Sequence, residues 1–431
     1  MTLADYVRAM PKVELHVHLE GTVQPETLLD LARSHGVRLP AADISELRSW
    51  YTFRDFNHFV DIFVTIGHCL RTADDFARVT YEYGQSMARQ NIQYAEVTWT
   101  PYAHIGVTAA WRTLSWDELL AAINAGCEQA RRQWGVEMRW IPDIVRSDLD
   151  SADTVVRWLT LPSAQSGGVI GLGLGGPEEG FPPEPFEAAF REATANGLHS
   201  NPHAGETVGP ESVWGAIRAL KAERLGHGVR AIEDPALVAY LVEHRIPLEV
   251  CPTSNLRLGV YPSYAAHPLR RLVKAGARVT LNSDDPTLFN TTLNEEYLHA
   301  VQDCGLSVGQ LEEVALNAVR ASYLPEEQKA HMLSTFRAEY RRLRQRYAID
   351  QEKLRLVDDL DTLWANLLSG ETRQILAVWS ELAPGERTAI HAHLTRMATE
   401  EGWSEPQRQS AQAALDVLAG RLDADHRAQD R

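Results

Sequence analysis

Four cysteines in 431 residues are too few and too scattered to organise a fold. Cys69, Cys127, Cys251 and Cys304 form no CxxC pair, which excludes a disulfide scaffold and a zinc knuckle and fits a reducing, cytoplasmic setting. Basic charge is also scarce: 42 Lys and Arg against 58 Asp and Glu leave a formal net charge of -16. Such a surface repels nucleic acid and anionic lipid, because phosphate binding rests on clustered Lys and Arg. No apolar run approaches the ~18 residues that a membrane span needs. The opening MTLADYVRAMPKVELHV carries Asp5 early and lacks a sustained apolar stretch, so it is not expected to act as a signal peptide. Internal repeats and low-complexity linkers are missing too. What remains is an ordinary globular mixture, 44% hydrophobic and 23% charged, and a small molecule is the expected partner.

Eight short runs read as strands: Val13–Leu19, Ile92–Trp99, Glu137–Val145, Val169–Gly176, Leu198–His203, Arg224–Val229, Pro247–Cys251 and Arg278–Asn282. In the first, Val13, Leu15, Val17 and Leu19 alternate with Glu14, His16 and His18. Between the runs, Trp116–Trp134, Pro185–Asn196, Pro210–Ala222, Pro235–His244 and His267–Ala275 carry apolar residues at helical spacing. Pro210 and Pro235 stand where a first helical turn tolerates proline, and Gly197 and Gly276 where helices stop. Strands alternating with helices give an α/β fold with a parallel sheet, and the number eight points to a closed (β/α)8 TIM barrel. An open doubly wound sheet would alternate in the same way. The polar residues favour the barrel, since they gather at the ends of strands one and four to eight, where a barrel keeps its active site.

The alternation stops near Ala348, so residues 1–347 are read as the barrel and 348–431 as an all-helical appendage. Ile375, Trp379 and Leu382 make one apolar stripe there, and Ile390, Leu394 and Met397 another. Ala383-Pro384-Gly385 and the stretch Glu401–Pro406 break the helices, with Ser404 as an N-cap. The appendage is expected to pack on the barrel or on a second subunit, which leaves a homo-oligomer through these helices open.

His16-x-His18 is the first chemical signal. Strand residues two apart point to one side, so the pair could offer two nitrogens to one metal, and neutral imidazole suits zinc. Two histidines could also simply line a polar strand face. His391-x-His393 has the same spacing on a helical pattern, where i and i+2 diverge by ~200°, and reads as solvated surface. His203-Ala204-Gly205-Glu206 ends strand five, offering a third ligand, a glycine that lets a ligand approach, and a carboxyl for proton transfer. Glu206 could equally be a helix-entry acid. Gly226-His227-Gly228 ends strand six; His227 could orient or activate a water, or be a turn histidine. Asn282-Ser283-Asp284-Asp285-Pro286 ends strand eight, and its adjacent carboxylates need a cation or a donor unless the segment is only a turn. Gly171-Leu172-Gly173-Leu174-Gly175-Gly176 matches GxGxxG by letter, but Pro177 to Pro183 follow where a helix is required, so the dinucleotide reading fails. Those glycines bring backbone close to a flat ligand, with Glu178 at the rim. Taken together, three histidines, an aspartate and an acid/base pair at the strand mouths point to metal-assisted hydrolysis.

Met10-Pro11-Lys12-Val13-Glu14-Leu15-His16-Val17-His18-Leu19-Glu20-Gly21, HAGE at 203–206, GHG at 226–228, EVCPTSN at 249–255 and NSDDP at 282–286 resemble the adenosine deaminase family in order and spacing over roughly residues 8–345. The resemblance implies the (β/α)8 barrel of the amidohydrolase superfamily with one zinc ion, held by His16, His18, His203 and Asp284. It implies that Glu206 protonates purine N1, that His227 positions a water and accepts its proton, and that Asp285 hydrogen-bonds N7. Gly176 would meet N3 through its backbone, with His18 and Glu20 also beside the substrate. Glu20 replaces the aspartate usually found near the ribose 5′-hydroxyl, and the usual Asp-Leu-Ala-Gly-Asp-Glu of strand four is here Gly173-Leu174-Gly175-Gly176-Pro177-Glu178. The implied activity is hydrolytic removal of the 6-amino group of an adenine nucleoside, leaving the 6-oxo purine and ammonia. GLGGPE with HAGETVGPESVW and NSDDP resembles most the branch acting on 6-amino-6-deoxyfutalosine in menaquinone synthesis, with adenosine the other nucleoside candidate. Adenine deaminases, which take the free base, are the alternative, but they carry Asp-His-Gly where this chain has Gly226-His227-Gly228. A binuclear amidohydrolase would need a lysine on strand four, and Val169–Glu178 has none. A catalytically idle barrel used as a binding module is the remaining reading.

Overall fold

The computed structural model describes residues 2–53, 56–105, 113–347, 364, 366–381, 384–400 and 403–429. The eight expected strands form, each within a few residues of its expected ends: β1 (Lys12–His18), β2 (Ile92–Trp99), β3 (Glu137–Val145), β4 (Gly171–Gly175), β5 (His199–Ala204), β6 (Leu225–His227), β7 (Leu248–Val250) and β8 (Val279–Leu281). Neighbours in sequence are neighbours in the sheet, and every pairing is parallel. β8 returns to β1 through a bridge between Asp284 and Val17. Two backbone hydrogen bonds make that seam, His18 N–H to Asp284 O at 2.9 Å and Asp284 N–H to His16 O at 3.1 Å. The open-sheet alternative is therefore excluded, and the fold is an eight-stranded parallel barrel ringed by helices.

β1 is buried along its whole length, because its apolar residues face the helices while its polar ones face the barrel interior. The helices Trp116–Trp134 and Pro235–His244 run as the apolar spacing predicts. Pro185–Asn196 instead divides into a single 3-10 turn, Glu184–Phe186, and a helix, Glu187–Ala195. Between β1 and β2 the described residues form a 3-10 turn and four α-helices, of which Phe56–Gly67 is strongly apolar and supplies one wall of the site. The helix Val308–Ala321 lies against β8 and β1, backing the seam.

The chain forms two compact units, Met1–Ile349 and Asp350–Arg431. The second has its own core, in which Leu367, Ile375, Trp379, Ile390, Leu394, Met397, Ala411, Ala414 and Leu418 are buried. Leu382, Ala383, Glu401 and Gly402 lie outside the described residues. Ser404 precedes the last helix, Glu405–Gln429, and its N–H donates to Gln407 Oε1 at 3.0 Å. The solvated-surface reading of His391 and His393 does not hold, since both are half-buried. The His393 ring sits 4.9 Å from Trp364 and 5.8 Å from Trp403, because a helix carrying core residues on one face draws its flanking positions into the packing. All four cysteines are buried and free, and among the described residues no helix is long and apolar enough to cross a membrane.

Candidate active site

His16, His18, His203 and Asp284 converge at one end of the barrel, with ligand atoms close enough to share one ion. His18 Nε2 lies 3.2 Å from His203 Nε2, and Asp284 Oδ1 lies 3.4 Å from both His16 Nε2 and His18 Nε2. Donors around a tetrahedral zinc stand about 3.3 Å apart, the edge of a tetrahedron with ~2.05 Å bonds. His16 Nε2 is buried and has no hydrogen-bond partner. The donor set therefore fits zinc on its spacing and on an orphaned nitrogen. Burial holds His18 and His203 below their ordinary values, so both are neutral. Burial acts on His16 in the same way, but the carboxylates of Asp284 and Glu249 beside it outweigh it and raise the ring to about 10. A cation among these groups answers the same carboxylates that otherwise call for that proton. Asp284 reaches the cluster with φ of 63°, and His227 stands at 59°; such backbone strain in non-glycine residues gathers at functional sites.

Behind His16 runs a buried charge chain. Glu249 Oε2 lies 2.8 Å from His16 Nδ1, Glu249 also pairs with Arg224 Nε, and Arg224 Nη2 meets Glu96 Oε2 at 2.6 Å. A carboxylate on Nδ1 fixes the tautomer that leaves Nε2 for the metal and makes the ring a stronger ligand. The motif EVCPTSN contained Glu249, but its partner Arg224 lies just before β6, the neighbouring strand, and carried no signal. Glu249→Gln is expected to weaken zinc binding by roughly 10–100-fold in a competitive chelator titration, with the fold intact by circular dichroism.

Glu206 and His227 flank the cluster, His227 Nε2 lying 3.6 Å from Glu206 Oε1 and 3.7 Å from Asp284 Oδ2. Burial, then the charges of Asp284 and Glu178, push the Glu206 carboxyl well above its ordinary range. Burial opposes ionisation of Asp284 as well, but His16 beside it and the other nearby histidines hold it well below. Two carboxyls side by side are thus driven apart, one kept protonated and one ionised. Burial and the Asp284 charge likewise raise Asp285, whose Oδ1 is unpartnered. A hydrogen-bond chain sets the tautomer of His227. Leu269 N–H donates to His267 Nδ1 at 3.2 Å, His267 Nε2–H then donates to Asn255 Oδ1 at 3.1 Å, and the Asn255 amide donates to His227 Nδ1 at 3.3 Å. Neutral His227, lowered to about 4 by burial, therefore carries its proton on Nε2, facing the cluster. That tautomer suits orienting a water; accepting a proton first requires the Asn255 amide to turn.

Two expectations need correction. Glu178 is not at a rim: it is buried, and its carboxylate accepts the N–H groups of Gly205, Glu206, Thr207 and Val208 at 2.7–3.0 Å and the Ser212 hydroxyl at 2.5 Å. It holds the turn that aims Glu206. Gly205 does not make room for a ligand either, since its φ is 72° and a Cβ there would come within 2.4 Å of Val213.

Glu20 stands apart from the cluster. Its Oε1 accepts from the Thr100 N–H at 3.0 Å and meets His104 Nε2 at 2.9 Å. The cavity holding the cluster measures about 300 Å³; Gly176, His18, Glu206, His227, Asp284 and Asp285 line it, with Phe56, Phe59, Val60, Phe63 and Val64 along an apolar side. Asp143 and Arg146 also went unread in the sequence, being single polar residues in or after a strand with no motif around them. Arg146 donates to the carbonyls of His203 and Phe181, pinning the backbone of a candidate ligand.

The family model described as Adenosine deaminase matches residues 11–339. The aminodeoxyfutalosine deaminase of Streptomyces coelicolor is 40% identical over 77% of this chain and 84% of its own length. The crystal structure of an adenine deaminase from Arthrobacter aurescens superposes with a TM-score of 0.71 at 33% identity, covering 76% of this chain and 98% of that one. An amidohydrolase from Burkholderia ambifaria with bound Zn superposes with a TM-score of 0.74 at 29% identity, covering 81% and 96%.

Proposed function

The chain belongs to the adenosine deaminase family, and from that premise we propose that it hydrolytically deaminates a 6-aminopurine nucleoside, with 6-amino-6-deoxyfutalosine the first candidate and adenosine the second. His16, His18, His203 and Asp284 would hold one zinc ion, which when bound supplies the Lewis acidity that makes water nucleophilic near neutral pH. Glu206, protonated, gives its proton to N1 as oxygen adds to C6, so negative charge never builds on the ring. His227 orients the attacking water and takes its other proton once the Asn255 amide turns. That proton passes to the amino group, ammonia leaves C6, and the hydroxyl proton returns to Glu206. Asp285, which lines the cavity, meets N7, while the Gly176 N–H meets N3.

The observation that carries the nucleoside reading is Gly226. A Cβ there would come within 2.8 Å of His16 Cε1 and 3.1 Å of His203 Cγ, so the Asp-His-Gly pattern of adenine deaminases does not fit this packing. The cavity, at about 300 Å³ with an aromatic side, also exceeds what a free base fills. The relative named for adenine keeps the free base as the alternative reading. Ammonia release from aminodeoxyfutalosine, adenosine and adenine at matched enzyme concentration tests it. The nucleosides are expected to lead adenine in kcat/KM by at least roughly tenfold, the value of one or two hydrogen bonds; adenine in front would reverse the assignment.

A further inference from the structure

Asp143 is a buried carboxyl that the mechanism above leaves unused. It lies on β3 in register with Gly173, and its side chain rests over the bare backbone of β4. A Cβ on Gly173 would come within 3.0 Å of the Asp143 Cβ, and one on Gly175 within 2.4 Å of its Oδ2. The glycine-rich run of strand four is therefore what seats this carboxyl. Asp143 is only 3% exposed, Thr100 hydrogen-bonds it, and it lines the cavity with Oδ1 unpartnered. Its neighbour Glu20 also keeps one oxygen, Oε2, without a partner. Buried acceptors are ordinarily satisfied, so an unpartnered oxygen on a side chain that lines the cavity points to a ligand that completes it. Burial and then the charge of Glu20 push the Asp143 carboxyl up, so it can give a hydrogen bond as well as accept one.

Position selects the ligand atom. In the purine pose proposed above, Gly176 meets N3, and Asp143 lies against Gly175, the residue before it. The sugar hydroxyl on the N3 side of a nucleoside is the one at C2′, and carboxylates recognise ribose 2′-hydroxyls in other folds. We propose that Asp143 is a specificity-determining residue that hydrogen-bonds the 2′-hydroxyl of the nucleoside substrate. The inference rests on the nucleoside reading, since a free base has no such group.

Steady-state kinetics of the zinc-loaded full chain with adenosine and 2′-deoxyadenosine test it. The native protein is expected to favour adenosine in kcat/KM by roughly tenfold. Asp143→Ala should bring that ratio to about one by loss of adenosine turnover alone, and Asp143→Asn, which keeps an acceptor, should retain part of it. A merely structural role would lower both substrates together and leave the ratio unchanged, which overturns the inference. A native ratio near one overturns it without any variant, should Asp143→Ala not fold. Turnover of adenine with neither nucleoside defeats the nucleoside reading and this inference together. If no 6-aminopurine yields ammonia, calorimetric binding of inosine against 2′-deoxyinosine decides it, equal affinities counting against Asp143.

Discussion

Asp284→Ala is expected to lose both zinc and turnover, with activity falling by more than about a thousandfold and less than one equivalent of metal retained after dialysis. The size follows from what each atom of Asp284 does. Oδ1 stands 3.4 Å from the Nε2 atoms of both His16 and His18, so its removal opens one corner of the donor set. Without the ion nothing in the cavity lowers the pKa of water toward about 7. The Asp284 charge is also the largest charge raising Glu206, so the variant lets the acid ionise more readily. His16→Ala should give the same double loss, because His16 is the proposed ligand tied to the Glu249 and Arg224 chain. His391→Ala, in the helical unit, should leave the zinc content at the native value. Elemental analysis after dialysis against a weak chelator reads all three; a full equivalent of zinc in Asp284→Ala would remove it from the ligand set.

How far the sequence carried this site depends on how local each signal is. The strands were readable because a parallel barrel buries both faces of each strand, leaving short apolar runs bounded by turns, as in Leu248–Val250. His16-x-His18, His203, Glu206, His227 and the Asp284–Asp285 pair were readable because barrel chemistry sits where strands end, so each lies in a compact motif. Asp143 and Glu178 were not, because their meaning is pairwise across strands. Asp143 has a role only through the missing side chains of β4, and Glu178 only through four N–H groups some thirty residues later. The helix Phe56–Gly67 shows the same limit in reverse: its apolar residues predict burial, and only the fold reveals that several face a cavity.

Glu206→Gln is expected to keep one equivalent of zinc while kcat falls by roughly 10²–10⁴-fold, the usual worth of a positioned general acid. Glutamine matches glutamate in shape and can still donate a hydrogen bond to N1, but it has no proton to transfer. Its backbone stays anchored, because the Glu178 carboxylate holds the Glu206 N–H at 3.0 Å whatever the side chain carries. KM should therefore move little, placing the loss in kcat. The pH profile separates proton transfer from positioning. Burial and the charges of Asp284 and Glu178 raise the Glu206 carboxyl in the native protein, so it keeps its proton to higher pH than an ordinary glutamic acid and loses it only as pH rises further. Native kcat should accordingly hold below that raised pKa and decline on the alkaline side. In the glutamine variant the alkaline limb should vanish, since no proton remains to be lost there. A variant that keeps near-native kcat, or the same alkaline decline, would assign the proton delivery to another group. Asp285, raised by burial and Asp284 in the same way, is the next one in the cavity to test.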